Sequence, residues 1–277
     1  MTDTAPPLTD TNLLIGIDDT DTEASKGTGS LARGLLTSFD EQRVGAALGA
    51  TRHQLLLDPA IPYTSENATH CLALKASHRL EVVAIAEMVL AYVEAEAAPE
   101  SSPGIAIVRD ASWEDPDVTS RLVSFGQRAK TEVLGVDSAI GLASELGVHL
   151  SGHGASNRGV VGALAAVGLH LSGDDGLFSW MPGIRDVAGQ VSYRQLRFLV
   201  PIDAALDASG REPELEDLIE LGDWVRPVLT GGRCVLLLDP PVAAAAQTGG
   251  FGARPKPANT WRVASREVVK AHSGAAQ

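Results

Sequence analysis

The apolar run Asn12 to Ile17 (NLLIGI) leads directly into Asp18-Asp19-Thr20-Asp21-Thr22, and this junction constrains the chain more than any other stretch. An unbroken apolar run of this length, closed by turn residues, reads as a buried strand. Three carboxylates within four positions at its end raise one another's pKa unless a cation neutralises them. Mg²⁺ suits such a turn, because it takes oxygen ligands and bridges one or two carboxylates to substrate phosphates. Strand ends are also where α/β proteins place their sites. Asp18, Asp19 and Asp21 are therefore predicted as metal ligands and catalytic acids, with the Thr20 and Thr22 hydroxyls beside the phosphates. The plainer reading is a turn whose acids cap the next helix or face water.

Downstream, Leu31, Leu35, Leu36 and Phe39 recur at helical spacing over Thr28 to Glu41. Lys26-Gly27-Thr28-Gly29 opens this helix, and a lysine with exposed first-turn amides forms an anion cradle. A strand is predicted over Thr51 to Leu57, then a turn over Asp58 to Pro62. A strand over Thr69 to Lys75, a helix over Leu80 to Ala97 and a strand over Gly104 to Arg109 follow. This β-α-β segment reads as a small inserted subdomain with half a ferredoxin-like pattern.

Helices are predicted over Asp117 to Lys130 and Asp137 to Leu146. A second glycine-rich loop then enters a small-residue helix over Arg158 to Leu171. Gly152, His153, Gly154, Asn157, Arg158 and Gly159 are candidate nucleotide ligands, through amides, a guanidinium and an imidazole. The competing reading is a tight turn and a helix using Gly159, Gly162 and Gly168 for close packing. Strands over Leu177 to Trp180 and Val191 to Val200, an acidic helix over Glu212 to Leu221 and a strand over Cys234 to Leu238 complete the pattern. Gly173-Asp174-Asp175-Gly176 reads as a turn in preference to a second metal pair. Strands alternating with helices make the fold class α/β or α+β.

Composition narrows the function. The net charge is −13, against nonspecific nucleic-acid binding. Residues 250–277 run the other way, with Arg254, Lys256, Arg262, Arg266 and Lys270 against Glu267 alone. Such a basic tail either grips a phosphate or is a solvated end. Cys71 and Cys234, the two cysteines, read as buried strand thiols. No apolar run approaches the ~20 residues of a membrane helix. The polar start with Pro6-Pro7 reads as a disordered tail over 1–11 and not as a secretion signal, so a cytoplasmic location is expected.

The order of motifs resembles a known family. Gly16 to Thr22, Asp58-Pro59-Ala60-Ile61-Pro62-Tyr63, Pro103-Gly104-Ile105 and Gly152 to Gly168 look like the N-terminal half of the archaeal tRNA isoleucine agmatinylcytidine synthetase family. The resemblance covers roughly residues 12 to 200. It implies a kinase-like domain of the TiaS type over 12–68 and 111–200, an inserted ferredoxin-like subdomain over 69–110, and a C-terminal extension over 201–277. It also implies ATP and Mg²⁺ as cofactors, used in that family to phosphorylate an anticodon cytidine before agmatine attacks. Asp18, Asp19 and Asp21 fall on its metal and phosphate carboxylates, and Gly152, Gly154, Arg158 and Gly159 on its second glycine loop.

The departures are the missing cysteine pairs of a zinc ribbon, Lys26-Gly27-Thr28-Gly29 in place of the usual cysteine and threonine, and a lengthened second loop. With the negative charge, they lead to an expectation of a small-molecule substrate and not tRNA. The oligomeric state is not legible. Three readings follow: an ATP- and Mg²⁺-dependent phosphotransferase or ligase; a haloacid-dehalogenase-like phosphatase with Asp18 as nucleophile and Asp174 and Asp175 as later acids; and a nucleotide- or metabolite-binding module without turnover.

Overall fold

The computed structural model describes residues 8–64, 66–242 and 259–272. The first half contains β1 (Leu13–Asp18), α1 (Thr28–Glu41), β2 (Gly45–Gln54), β3 (Ala68–Ala76), α2 (Val82–Glu96) and β4 (Gly104–Arg109). Then come α3 (Asp110–Trp113), α4 (Pro116–Ala129), α5 (Val136–Leu146), β5 (His149–Gly152), α6 (Gly159–Leu171), β6 (Leu177–Trp180), β7 (Gln190–Ser192) and α7 (Tyr193–Leu199). The chain continues through β8 (Ala204–Asp207), β9 (Leu218–Glu220), β10 (Val228–Thr230), β11 (Arg233–Val242), β12 (Thr260–Val263) and α8 (Arg266–His272).

Among the described residues the twelve strands belong to one sheet, ordered β5-β4-β1-β3-β2-β6-β10-β11-β12-β9-β7, with β8 added beside β11. β1 lies between β3 and β4 and is antiparallel to both. Residues 13–109 thus form a complete β-α-β-β-α-β unit with spatial order 4-1-3-2, the ferredoxin-like arrangement. This corrects the inserted subdomain over 69–110. Its two strands flank β1, so a boundary at residue 69 would cut a continuous sheet.

The two faces of this sheet carry different helices. Leu13, Ile15 and Ile17 pack with Leu72, Leu74, Ile105 and Ile107 under α1 and α2. On the other face, Leu14, Ala73, Ala106 and Val108 pack under α6, which α4 covers in turn. Burial on both faces is why β1 reads as a continuous apolar run. The helix α6 is buried almost all round, as its Gly, Ala, Val and Leu composition allows.

Several expectations for the second half are corrected. The strand predicted over Val191 to Val200 is only β7; α7 begins at once because Ser192 and Gln195 form a reciprocal capping box. The acidic helix over Glu212 to Leu221 is a turn followed by β9. Buried Asp217 accepts from the backbone N–H groups of Glu214 (3.1 Å) and Asn259 (2.8 Å) and from Trp261 Nε1 (3.0 Å), which fixes that turn. The strand predicted over Thr51 to Leu57 starts at Gly45 and stops at Gln54. Residues 1–7 of the expected tail lie outside the described residues, as do Arg254 and Lys256; Arg262 lies in β12, and Arg266 and Lys270 in α8.

A buried polar chain ties β2 to α6. Thr51 Oγ1 lies 2.8 Å from His53 Nε2 and 2.9 Å from His170 Nδ1, and His53 Nδ1 lies 2.8 Å from Asp175 Oδ1, which also holds Lys130 through its second oxygen. Burial pushes His170 down to about 3, with His53 adding to the shift. A buried neutral histidine that must charge on unfolding makes the unfolded state bind more protons below its own pKa, so stability falls as pH drops below about 6.5. We expect His170→Gln to reduce the pH dependence of unfolding free energy between pH 6 and 4.5 by about 1.4 kcal/mol per pH unit. Urea denaturation of both proteins across that range measures it, and equal slopes would refute it.

Candidate functional site

The end of β1 is held open as a site by backbone geometry. Asp19 has φ of +53°, a left-handed conformation that side-chain-bearing residues adopt only when held there. Two bonds hold it: the Asp19 carbonyl accepts from Ser102 N at 3.1 Å and the Thr20 carbonyl from Ala98 N at 3.0 Å. The three acids consequently point to different partners. Asp18 packs on Gly162 of α6, so closely that a Cβ there would lie 1.8 Å from Asp18 Oδ2. Asp19 Oδ2 accepts from Arg158 Nε at 2.7 Å. Asp21 accepts from the hydroxyls of Thr28 (2.7 Å) and Thr64 (3.2 Å), and Thr20 donates to Thr28 at 3.0 Å.

The electrostatics follow from these positions. Burial holds the Asp18 carboxyl well above the usual carboxylate range, and Asp19 and Asp21 push it further up. Burial raises Asp19 too, and Arg158 opposes that shift. A carboxylate cluster of this kind is a site of stored electrostatic cost, which marks functional clefts.

Asp18, Asp19 and Asp21 line a cavity of about 450 Å³. Gly27, Thr28 and Gly29 line it from α1, and Arg158, Gly159, Val161 and Gly162 from the start of α6. Its far wall is apolar, formed by Leu55, Ala129, Leu134 and Val136. Arg52, Thr64 and His70 also line it and carry no motif by which the sequence marks them.

Other predicted site residues are not brought to the cavity. Thr20 is buried behind the turn, Thr22 donates its N–H to Ser25 Oγ, and Lys26 is exposed outside. Gly152, His153, Gly154 and Asn157 lie outside the lining: His153 Nε2 is 3.0 Å from Ser151 Oγ, and Gly152 packs on Asn157 and Val160. Antiparallel pairing of β5 with β4 turns that loop toward Pro103, whose carbonyl accepts from His153 N. Asp174 and Asp175 are likewise elsewhere, bonded to Gly231 N and to His53, which removes the later acids of the phosphatase reading.

Asp18, Asp19 and Asp21 all reach the same cavity, although among the described residues no three His, Cys, Asp or Glu side chains converge as a ready-made metal-binding group. Arg158 occupies an oxygen of Asp19. Thr28 and Thr64 each donate to one oxygen of Asp21, so Asp18 is the least engaged of the three hard oxygen donors, a donor type that suits Mg²⁺ completed by phosphate and water.

No family model matches the chain. It is 30% identical over 162 residues to the tRNA 2-agmatinylcytidine synthetase TiaS of Methanosarcina acetivorans, covering 58% of this chain and 36% of the relative. The same enzyme of Methanosarcina mazei is 30% identical over 163 residues, 58% of this chain and 37% of the relative. Among solved structures, a complex of TiaS with its isoleucine tRNA and ATP matches with a TM-score of 0.48 and 25% identity over 57% of this chain and 36% of that one. The matched region thus spans just over a third of the curated relatives' length. Both curated relatives are named for a tRNA substrate, which overturns the expectation that tRNA is not a partner. Net charge over a whole chain is a poor guide to one binding surface. No helix among the described residues is long and apolar enough to cross a membrane. More than half of this chain is a TiaS-related region.

Proposed function

We propose that the chain is an ATP-dependent phosphotransferase or ligase whose metal–nucleotide complex binds at the acidic turn. The observation that carries this is Asp18: a carboxyl packed on α6, pressed by two further acids, and open to a cavity that also receives the uncapped start of α1. Bound Mg²⁺ would neutralise those acids and the charge that develops on a transferring phosphoryl group. Asp18 and Asp21 would hold it. The first-turn amides of Thr28 and Gly29, with Arg158, would orient the phosphates, and the apolar wall would take the base. Catalysis of phosphoryl transfer rests largely on such positioning and charge stabilisation. The sequence relatives make tRNA the acceptor to test first.

Incubation with γ-labelled ATP and Mg²⁺, with and without total tRNA, tests this. Label moving to RNA supports an RNA acceptor. ATP consumption that needs an added amine or alcohol instead of RNA supports a small acceptor. Failure of the folded protein to bind Mg-ATP in calorimetry would overturn the proposal and leave a metabolite-binding module.

A further inference from the structure

The cavity has a second corner, built around a guanidinium and an imidazole, on the α1 side of the sheet, opposite the face on which Asp18 meets α6. Arg52 of β2 and His70 of β3 are direct register partners there. His70 is only 6% exposed, and its Nδ1 is buried with no hydrogen-bond partner. The ring lies under the first turn of α1: a Cβ on Gly29 would be 2.8 Å from His70 Nε2. Gly27 caps α1 without a side-chain acceptor, and the first turn has no acidic residue. The first amides of a helix lack intrahelical partners and carry partial positive charge. A buried donor or acceptor left unmade is costly, and the His70 ring also lines the cavity, so a ligand there can offer the imidazole the polar partner it lacks.

We propose that Arg52, His70 and the first turn of α1 form an oxyanion subsite that takes a phosphate group, either of the nucleotide or of its acceptor. Glu66 is its built-in competitor. Glu66 Oε2 lies 2.5 Å from Arg52 Nη2, while its other oxygen lies 3.8 Å from Lys270 Nζ of α8. An arriving phosphate displaces Glu66 from Arg52, and Lys270 keeps the released carboxylate partnered. Guanidinium–phosphate pairing is charge-assisted and stronger than a neutral hydrogen bond. The assignment of the phosphate to a nucleotide or an acceptor rests on the function proposed above; the existence of the subsite does not.

The test is calorimetric titration of inorganic phosphate into the full chain, without nucleotide and with chelator present. Wild type is expected to bind. Arg52→Gln is expected to weaken binding about tenfold or more, and Glu66→Gln to tighten it. His70→Leu should lower phosphate affinity yet raise the melting temperature, because it removes an unsatisfied buried polar atom; a structural histidine would not show that pair of effects. Competition by saturating Mg-ATP would assign the site to the nucleotide, and undiminished phosphate binding to the ATP-loaded protein would assign it to the acceptor. No phosphate binding by wild type, or equal affinities for Arg52→Gln and Glu66→Gln, would overturn the subsite. Phosphate binding without Mg-ATP binding would leave the subsite standing and remove the phosphotransferase reading.

Discussion

Asp18→Asn is expected to abolish ATP turnover while making the ligand-free protein more stable at neutral pH. The two effects share one cause. Asp18 is held as a carboxylate only against burial and the nearby charges of Asp19 and Asp21. Asparagine keeps the shape and an oxygen able to accept the Asp19 N–H, but carries no charge to desolvate. A carboxyl whose folded pKa lies above its unfolded one binds its proton more tightly in the folded state. Its contribution therefore falls as pH rises from about 4 toward the folded value. The variant's advantage should be absent near pH 4 and grow toward pH 7.5, where a higher unfolding free energy and a higher melting temperature than wild type are expected.

Turnover should drop by roughly 10²–10³ or more, the scale seen when one preorganised electrostatic group is removed. Thermal unfolding from pH 4 to 8 and steady-state ATP consumption measure the two halves. A variant less stable at pH 7.5 than at pH 4 relative to wild type would contradict the electrostatic account. Undiminished turnover would remove Asp18 from the site.

The part of the site that lies close in sequence was legible, and the part assembled across the sheet was not. The run Leu13 to Ile17, the acids after it and the helix from Thr28 to Glu41 are local signals, and the structure reproduces their order and the helix limits. Arg52 and His70 meet only because β2 and β3 pair in one register across the connection between them, and no periodicity in either strand marks that register. The same limit explains the false boundary at residue 69: local pattern identifies β3 but not its place beside β1. The second glycine loop was ambiguous for a different reason. Glycines that admit a ligand and glycines that admit a neighbouring backbone look alike in sequence. Only coordinates separate Gly159, which touches both the cavity and Gly104, from Gly152, which is packed away from it. Buried Asp217, which turned an expected helix into a turn, accepts three of its four hydrogen bonds from Asn259 and Trp261, far along the chain.

The glycines of the α6 contact supply the second large effect. A Cβ on Gly104 would lie 2.0 Å from the carbonyl carbon of Gly159 and 2.3 Å from Val160 N; one on Gly16 would lie 1.9 Å from the Ala163 oxygen. Those neighbours are backbone, on a helix wedged between the sheet and α4, so no rotamer change relieves the contact. Overpacking a well-packed core costs typically 1–3 kcal/mol, and backbone overlap belongs at or beyond the top of that range. Gly104→Ala is therefore expected to destabilise by about 3 kcal/mol or more, and to impair ATP binding by moving α6 and Arg158 away from the acidic turn. Gly162→Ala behaves differently, because its Cβ meets the Asp18 side chain and not backbone. Its folding cost should shrink in an Asp18→Ala background, giving a coupling energy within the 0.5–3 kcal/mol seen for residues in contact, while the Gly104→Ala cost should not change. Gly141, in the middle of α5 with nothing within 4 Å of an added Cβ, is the control. There alanine should stabilise by up to ~1 kcal/mol through helix propensity alone. Denaturant titration of the single variants and of the two glycine variants combined with Asp18→Ala decides the matter. Equal, mild effects at Gly104 and Gly141 would mean that α6 does not rest on the sheet through its glycines, and that the position of Arg158 over Asp19 has another support.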